Sequence, residues 1–444
     1  MLKIPYGISN FERIRTKNFL YVDKTHFIKS IESIDYLIHL RPRRFGKSLF
    51  ISMLESYYDV DSADKFDELF KGLHIHENPT DYRNSYYVLR FDFSGIENVE
   101  EDDLRKGFVR KVREGAQAFI GKYKFDIKLS KSSSAATVLG SLFVGFASLN
   151  LPHKIYILID EYDHFTNSIL EGEASEFLSI LQRGGFVRSF YEGIKERTNH
   201  GIVERIFITG VMSITLDSMT SGFNIATKIT TNKRFSDMMG FTDDEVKNLL
   251  RLPYAKSGHL EDEKVAIQLT SKEQDAIYDV FRENYNGYLF SERAEMKIFN
   301  STLILYYLNY YIQEGEPPRS LVDPNLNQKG ATIESVVGLK NHEQNYQIIK
   351  KIISEKQIEG TLQSFIDIDS KFDEDDLITL LFSIGMLTIK GFDMETQFEM
   401  PNKIIEDIYL QYLSDLVQRQ SDYIINTSIR GINASPLKRA AKSL

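Results

Sequence analysis

The stretch Leu37-Ile-His-Leu-Arg-Pro-Arg-Arg-Phe-Gly-Lys-Ser48 decides the fold of the first half of the chain. It consists of a short apolar run, a tight turn that ends in Gly46-Lys47-Ser48, and then apolar residues at helical spacing. This is the layout of a phosphate-binding loop, in which N–H groups of the turn and the positive end of the next helix hold phosphate oxygens. We expect Lys47 to reach the terminal phosphates of a nucleotide and the Ser48 hydroxyl to coordinate Mg²⁺.

The loop departs from the usual pattern, G-x-x-x-x-G-K-[ST], at its first position, where this chain has Arg41. By itself the tripeptide Gly46-Lys47-Ser48 is weak evidence for a nucleotide site. A second feature with a complementary role is therefore needed.

The run Lys154-Ile-Tyr-Ile-Leu-Ile-Asp-Glu-Tyr-Asp163 supplies that feature. Branched apolar residues followed by acids are typical of a buried parallel strand with carboxylates at its C-terminal end. We expect Asp160 to hold Mg²⁺ through water and Glu161 to polarise the attacking water. The alternative is a core strand followed by a helix N-cap. Both motifs occur in the correct order, and together they predict an α/β fold with a P-loop NTPase core, its parallel sheet lying between helices.

The bulk composition limits the remaining possibilities. A chain of 444 residues with 42% hydrophobic and 26% charged residues is typical of an ordinary globular protein with two or three domains. The net charge of −9 argues against non-specific coating of nucleic acid, although a local basic groove remains open. Cysteine is absent, which excludes disulfides and thiol chemistry. No apolar run approaches the roughly 18 residues of a membrane span, and no signal peptide is recognisable. We expect a cytoplasmic protein that does not contact membranes.

Three segments resemble one protein family: Tyr21-Val-Asp-Lys-Thr25, the loop Arg41–Ser48, and Ile157-Leu-Ile-Asp-Glu-Tyr-Asp163. The family is the AAA-ATPase-like family, bacterial proteins in which an ATPase module often precedes a PD-(D/E)XK nuclease-like domain. An arginine-rich loop replaces the first glycine in that family, so the resemblance accounts for Arg41. It implies ATP and Mg²⁺ as ligands. Arg43, Arg44, Phe45 and Gly46 would join Lys47 and Ser48 at the nucleotide. Arg43 and Arg44 would equally fit a solvated or DNA-facing basic turn.

Two further segments are predicted to lie near the nucleotide. Phe19–Ile31 reads as an extended piece and a helix capped by Asp23, which would cover the base, pack on the sheet, or do both. Glu204-Arg-Ile-Phe-Ile-Thr-Gly210 reads as a strand beside the phosphate-loop strand. The family has a similar Phe-Ile-Thr-Gly segment, so Thr209 would sense the terminal phosphate, unless its hydroxyl merely caps the strand. Residues 211–235 are expected to form a loop near the nucleotide.

The rest of the chain is predicted to form three smaller parts. Residues 236–330 would be a helical lid following the core at 1–235, with Thr242 and Glu245 as a capping box. Tyr285 to Phe290 matches a Tyr-x-Gly-Tyr-x-Phe segment of the family. Residues 331–410 would be a winged-helix-like unit, made of a helix from about Asp373 and a β-hairpin. Its acidic start disfavours phosphate contacts on that face.

Residues 411–444 would be a C-terminal helix and tail. The resemblance extends to about residue 410, and no nuclease motif follows it. Such a domain would have been lost in this member, or the chain would have been shortened.

His74-Ile-His-Glu77 alternates as a surface strand would, which is the simpler explanation for its two histidines than a metal site.

Two hypotheses about function remain. The first is a Mg²⁺-dependent ATPase that uses its nucleotide state to switch conformation or assembly, with a homo-oligomer, a protein or DNA as possible partners. The second is a nucleotide-gated interaction module with little turnover, in a defence or mobile-element system. A trans-acting arginine would discriminate between them, and Arg205 and Arg234 are the candidates.

Overall fold

The structure is a computed structural model that describes residues 1–96, 101–164, 185–212, 224–256, 266–323, 329–339, 341–364, 366 and 372–420. For residues 101–103, 329–332 and 416–420 it describes the backbone alone. Within the predicted loop at 211–235, residues 213–223 lie outside these ranges. The described remainder is not entirely a loop, because Thr227–Lys228 forms a short strand that pairs with the strand before the phosphate loop. Within the described part of the chain, no helix is both long and apolar enough to cross a membrane.

A five-stranded parallel sheet forms the centre of the first half of the chain. Its strands are β1 (Tyr36–Leu40), β2 (Tyr86–Asp92), β3 (Lys154–Asp160), β4 (Val203–Gly210) and β5 (Thr227–Lys228). Their order is β2-β3-β4-β1-β5, so β4 lies between the strand of the phosphate loop and the strand of the acids. The predicted position of β4 beside β1 is confirmed by the pairing of His39 with Thr209. Because the strands are parallel, the Arg41–Ser48 loop, Glu161 and Val211 all follow the same edge of the sheet.

Helices cover the sheet, and most residues on its strands are therefore buried. From Ile155 to Asp160 every residue of β3 is buried, as expected for a parallel strand covered on both faces. The helices of this half of the chain are α1 (Phe11–Thr16), α2 (Ile28–Ile31), α3 (Lys47–Tyr58), α4 (Phe66–Phe70), α5 (His74–Glu77), α6 (Glu101–Tyr123), α7 (Ala135–Ser148) and α8 (Phe186–Asn199). The α/β architecture fits a P-loop-like core.

One local prediction in this half is wrong. His74–Glu77 is a short helix and not a surface strand. Asp23, which was predicted to cap the helix that follows it, accepts hydrogen bonds from the backbone N–H of both Thr25 and His74 and thereby fixes this turn. The described residues contain no group of three or more potential metal ligands.

A second, helical region follows the sheet. Its helices are α9 (Asp243–Leu250), α10 (Ser271–Asn284) and α11 (Ser301–Glu314), and a two-stranded sheet is made of β6 (Tyr254–Ala255) and β7 (Ala266–Ile267). The predicted capping box of Thr242 and Glu245 is confirmed at the start of α9. These helices share an apolar core with Ile4 and Leu20 of the N-terminal segment. The helical region therefore packs on the N-terminus; whether it acts as a lid stays a prediction.

The C-terminal region contains the predicted helix and hairpin together with further elements. The helices are α12 (Lys329–Val337), α13 (His342–Glu355), α14 (Glu374–Ser383) and α15 (Lys403–Gln420). The antiparallel hairpin β9 (Thr388–Phe392) and β10 (Thr396–Glu399) is joined by β8 (Gln357–Gly360), a strand that the sequence did not indicate. The assignment of this region as winged-helix-like, like the domain boundaries, stays a prediction.

The C-terminal region packs directly on the Arg41–Ser48 loop. The backbone of Gly385, at φ +78°, lies so close to the ring of Pro42 that a Cβ on the glycine would be 3.0 Å from the Cβ of Pro42. Next to this contact, the Thr388 hydroxyl accepts a hydrogen bond of 2.6 Å from the backbone N–H of Leu289. Leu289 belongs to the Tyr285–Phe290 segment, which therefore lies between the loop and the hairpin.

Candidate functional site

The Arg41–Ser48 loop turns sharply into α3. Gly46 has φ +90°, in the left-handed region that glycine adopts without steric cost. Arg44 also has a positive φ, +72°. Gly46 has no side chain with which to cap α3, and the first turn of a helix leaves its backbone N–H groups without intrahelical acceptors. The start of α3 thus presents N–H donors and the positive end of the helix dipole to an anion.

Arg41, which stands where a glycine is usual, points away from the mouth of the loop. Its side chain is buried, and its guanidinium carbon lies 4.1 Å from the centre of the Phe290 ring. The two terminal nitrogens donate to four backbone carbonyls, those of Leu40, Thr230, Phe235 and Ser236. Burial lowers the pKa of Arg41 to about 9. Arg41 therefore anchors the loop to the segment after β5.

Lys47 is buried beneath the loop. Its Nζ donates hydrogen bonds of 3.0 Å to the carbonyl oxygens of Arg41 and Pro42. Burial lowers the pKa of Lys47, while the nearby carboxylates of Asp163, Glu161 and Asp160 act in the opposite direction. The amine and the acids that follow β3 thus lie in one electrostatic environment, although they are more than a hundred positions apart in the chain.

Asp160 lies at the end of β3, facing the start of α3. Its side chain is buried, and its Oδ1 has no hydrogen-bond partner among the described residues. Burial raises the pKa of Asp160 to about 6, against the opposing effects of a hydrogen bond from Ser48 and the charge of Arg90. A buried unpartnered carboxylate oxygen beside a hydroxyl fits Mg²⁺, which takes oxygen ligands and is usually held by one or two carboxylates together with phosphates.

Glu161 follows in an unusual backbone conformation. Its φ is +50°, and the turn is closed by a hydrogen bond of 2.9 Å from the backbone N–H of His164 to the carbonyl of Glu161. The side chain of Glu161 is partly exposed, and its Oε2 lies 2.9 Å from Nδ1 of His164. This hydrogen bond is the main cause of the lowered pKa of Glu161. Sequence reasoning missed His164; its spacing of three residues from an acid at a strand end was the available signal.

A cavity of about 530 Å³ brings these residues together. Lys47, Ser48, Glu161 and His164 line it, as do Pro5–Ser9 and Leu20–Val22 of the N-terminal segment. Further lining comes from Met238–Phe241 and the first turns of α11. This volume is within the range of about 300–1,000 Å³ that is usual for small-molecule sites. Phe27 and Ile28 meanwhile belong to the main core, so the segment upstream of the loop both packs on the core and lines the cavity.

Comparison with known proteins identifies this arrangement. Residues 5–220 match the model of the AAA-ATPase-like family, described as "Predicted AAA-ATPase". This part of the chain belongs to the AAA-ATPase-like family. The match includes the Arg41–Ser48 loop, β3 with its acids, and β4. The resemblance inferred from the motifs is thus confirmed for residues 5–220.

The chain is also similar to a curated protein, the "Uncharacterized protein in vnfD 5'region" of Azotobacter chroococcum mcd 1. The two are 28% identical over 320 residues, which is 71% of this chain and 54% of the relative. The chain therefore spans about half the length of the curated relative that it matches.

The other loop residues of this AAA-ATPase-like site lie in different environments. Arg43 is exposed at the cavity. Arg44 forms an ion pair with the buried carboxylate of Asp323, which also accepts a hydrogen bond of 2.7 Å from the Tyr6 hydroxyl. Phe45 is buried, with its ring 5.0 Å from the ring of Tyr288 between centres. Arg43 is thus the loop arginine positioned to reach a ligand without breaking an ion pair.

Thr209 is placed beside the loop strand, but its side chain is not directed to the cavity. The residue is fully buried, and its hydroxyl donates a hydrogen bond of 2.8 Å to the carbonyl of His39. Asp163 is the acid that contacts the end of β4, since its carboxylate accepts hydrogen bonds from the backbone N–H groups of Val211 and Met212. Thr209 as a phosphate sensor stays a prediction.

The two candidate trans-acting arginines differ in exposure. Arg205 is buried near the N-terminal end of β4, where it donates to the Tyr86 hydroxyl and the carbonyl of Glu32. That end of the sheet is opposite the phosphate loop, and the side chain of Arg205 is only 5% exposed. Arg234 is exposed, with a hydrogen bond of 3.3 Å to the Ser33 hydroxyl.

Proposed function

We propose that this chain binds ATP with Mg²⁺ in the cavity next to the Arg41–Ser48 loop and hydrolyses it. The family assignment supports nucleotide binding. The observation that carries the proposal is that Lys47, Ser48 and Glu161 line one cavity, next to the buried carboxylate of Asp160 at the end of β3.

Binding begins with the phosphates. Backbone N–H groups at the start of α3 and the exposed Arg43 receive the phosphate oxygens. The Lys47 amine leaves the two loop carbonyls that it contacts and pairs with the terminal phosphates. Met238, Phe241 and the N-terminal segment would enclose the base and the ribose. Arg44 would contribute mainly by holding the loop to Asp323, and Phe45 through its backbone.

Ser48 and Asp160 would hold Mg²⁺, the hydroxyl directly and the carboxylate through water. The ion supplies charge neutralisation for phosphoryl transfer. Glu161 is the general base: its lowered pKa keeps it ionised at neutral pH, and one of its oxygens is already oriented by His164. Thr209 would sense the phosphate indirectly: its hydroxyl holds β4 to His39 of β1, the strand that leads into the loop.

Hydrolysis would switch the conformation or assembly of the protein, with the helical region at 236–330 as the lid and the C-terminal region at 331–410 as the output. A homo-oligomer, a protein or DNA would receive that output in the cytoplasm. The second candidate is an interaction module that binds nucleotide with little turnover. The hydrogen bond between Glu161 and His164 is compatible with it, because a carboxylate held by a neighbour is a weaker base.

The decisive test combines binding and turnover. Calorimetry with ATP, ADP and GTP, each with and without Mg²⁺, measures affinity, and phosphate release is followed over a range of protein concentrations. We expect Mg²⁺-dependent ATP binding and a rate of phosphate release per subunit that increases with protein concentration. Glu161→Gln should retain binding and lose turnover by about 10²- to 10⁴-fold, the usual contribution of a general base. Glu192→Gln, on the exposed side of α8, is the matched control.

Each outcome discriminates between the two candidates. Tight ATP binding without phosphate release favours the interaction module. Failure to bind any nucleotide rejects both. Undiminished hydrolysis by Glu161→Gln shows that a different group activates water.

A further inference from the structure

His164 is fixed between Glu161 and the end of a neighbouring strand. The backbone N–H of Gly95, which follows β2, donates a hydrogen bond of 3.1 Å to Nε2 of His164. The other ring nitrogen, Nδ1, lies 2.9 Å from Oε2 of Glu161. The imidazole thus connects two loops that follow adjacent strands of the sheet.

These contacts determine the tautomer of the ring. A nitrogen that accepts from a backbone N–H carries no proton itself, so Nε2 is unprotonated. The ring proton is therefore on Nδ1, and Nδ1 donates to the carboxylate of Glu161. This assignment follows from the hydrogen-bond partners of the ring.

The contact between the side chains of His164 and Glu161 follows from the backbone conformation of the turn that joins them. The turn from Glu161 to His164 is closed by the backbone hydrogen bond between these two residues, which brings their side chains to the same side. Glu161 adopts φ +50°, a conformation that is uncommon for residues other than glycine and is often found at functional sites. Both side chains line the cavity next to Lys47 and Ser48.

We propose that His164 is a positioning residue for Glu161: it binds one carboxylate oxygen and leaves the other directed to the attacking water. The proposal rests on the proposed ATPase function. His164 does not contact the nucleotide or transfer a proton. Its contribution is to fix the orientation of the base and to make that orientation depend on the loop at Gly95.

Substitution of His164 by asparagine or by glutamine tests the two contacts of the imidazole separately. The amide nitrogen of asparagine occupies a position near that of Nδ1, so His164→Asn keeps a donor for Glu161 and loses the acceptor for Gly95. The amide of glutamine reaches the position of Nε2, so His164→Gln keeps the acceptor for Gly95 and loses the donor for Glu161. His164→Ala removes both contacts, and His200→Gln, at an exposed position after α8, is the matched control.

The experiment measures the kcat of phosphate release and the affinity for MgATP in each variant, after thermal unfolding has shown that each is folded. We expect kcat to fall at least about tenfold in His164→Gln and His164→Ala, a part of what a general base contributes. His164→Asn should restore most of the rate that is lost in His164→Gln. ATP affinity should remain within about twofold of wild type in all of them, since a positioning residue acts on turnover and not on binding.

The outcomes separate this proposal from the one on which it rests. If the wild-type protein binds and hydrolyses ATP but His164→Gln does so at the same rate, the positioning role is wrong and the ATPase function stands. Equal losses in the Asn and Gln variants would also overturn it, because the contact with Glu161 would then not be the one that matters. If the wild-type protein has no turnover, both proposals are overturned together.

Discussion

The Nζ atom of Lys47, the first residue of α3, lies 3.0 Å from the carbonyl oxygen of Pro42 in the preceding loop. Burial disfavours the charged form of this amine and lowers its pKa, so an anionic partner in place of the neutral carbonyls would stabilise the ammonium. A phosphate oxygen carries negative charge, so it attracts the ammonium more strongly than a neutral carbonyl oxygen does. These contacts support the proposal that Lys47 binds phosphate and is held by the two carbonyls when no nucleotide is present.

Lys47→Ala is expected to abolish nucleotide binding. A hydrogen bond to a charged group contributes about 1.5–3 kcal/mol, so the loss of two such bonds lowers affinity by at least about 100-fold. Calorimetry with MgATP measures the change. Lys29→Ala, at an exposed position on α2, is the control and should bind as the wild type does. Wild-type affinity in Lys47→Ala would place the nucleotide elsewhere.

Asp160→Asn should stabilise the Mg²⁺-free protein at neutral pH. Burial raises the pKa of Asp160 from 3.8 to about 6, so the folded state holds its proton more tightly than the unfolded state. The tighter proton binding stabilises the folded state fully below about pH 4. This stabilisation, about 3 kcal/mol for a shift of about two pKa units, is lost as the pH rises through 6. Between pH 4 and pH 7.5, the variant should therefore gain up to about 3 kcal/mol in unfolding free energy relative to wild type.

Denaturant titration at the two pH values measures this gain, with Asp126→Asn, at an exposed site, as the control. Mg²⁺ with ATP should stabilise the wild type more than Asp160→Asn. A pH-independent difference between the variant and the wild type would mean that Asp160 is not the buried acid that titrates.

Arg41→Lys should destabilise the protein although it retains the charge. Lysine cannot reproduce the planar fork with which Arg41 donates to four carbonyls, and it leaves buried acceptors without partners. We expect a loss of about 2–4 kcal/mol in unfolding free energy, measured by denaturant titration. Arg13→Lys, on the surface of α1, should change stability by less than about 0.5 kcal/mol. Arg41→Gly, which restores the usual pattern of the loop, should be at least as destabilising as Arg41→Lys.

Gly210→Ala should be destabilising because the end of β4 has no room for a methyl group. A Cβ at this position would lie 2.2 Å from Oδ1 of Asp163 and 2.5 Å from the ring of Tyr162. The expected loss is about 1–3 kcal/mol, the usual range for overpacking. Gly140→Ala is the opposite control: its Cβ would meet nothing within 4 Å in the middle of α7, so helix propensity should stabilise it by up to about 1 kcal/mol. Thermal unfolding of both variants tests the contrast.

The parts of the site that follow from local sequence were predictable. Gly46-Lys47-Ser48 and Asp160-Glu161 each follow a strand whose apolar run is visible in the sequence, and parallel strands bring such ends to one edge. The placement of β4 beside β1 followed from the order of the elements. The capping box at Thr242 was equally local, since both partners lie within one turn of helix.

The remaining features depend on residues distant in the chain. The carbonyls that bind Arg41 come largely from Thr230, Phe235 and Ser236, about 190 positions later, and no local pattern indicates them. His164 is near Glu161, but its role depends on Gly95 at the end of another strand. The helix at His74–Glu77 is short enough that the partners supplied by Asp23 and Thr25 outweigh its alternating pattern.

If ATP binds as proposed, the contact between Pro42 and Gly385 couples the hairpin region to the triphosphate. Pro42 supplies one of the two carbonyls that retain the resting amine, while its ring supports the turn that leads into β9. Linkage is reciprocal, so a partner that tightens or loosens this contact must change the affinity for nucleotide by the same factor by which nucleotide changes the affinity for that partner. Any partner that binds the hairpin and alters this contact would therefore respond to the nucleotide state of the loop, and its binding would shift the nucleotide dissociation constant.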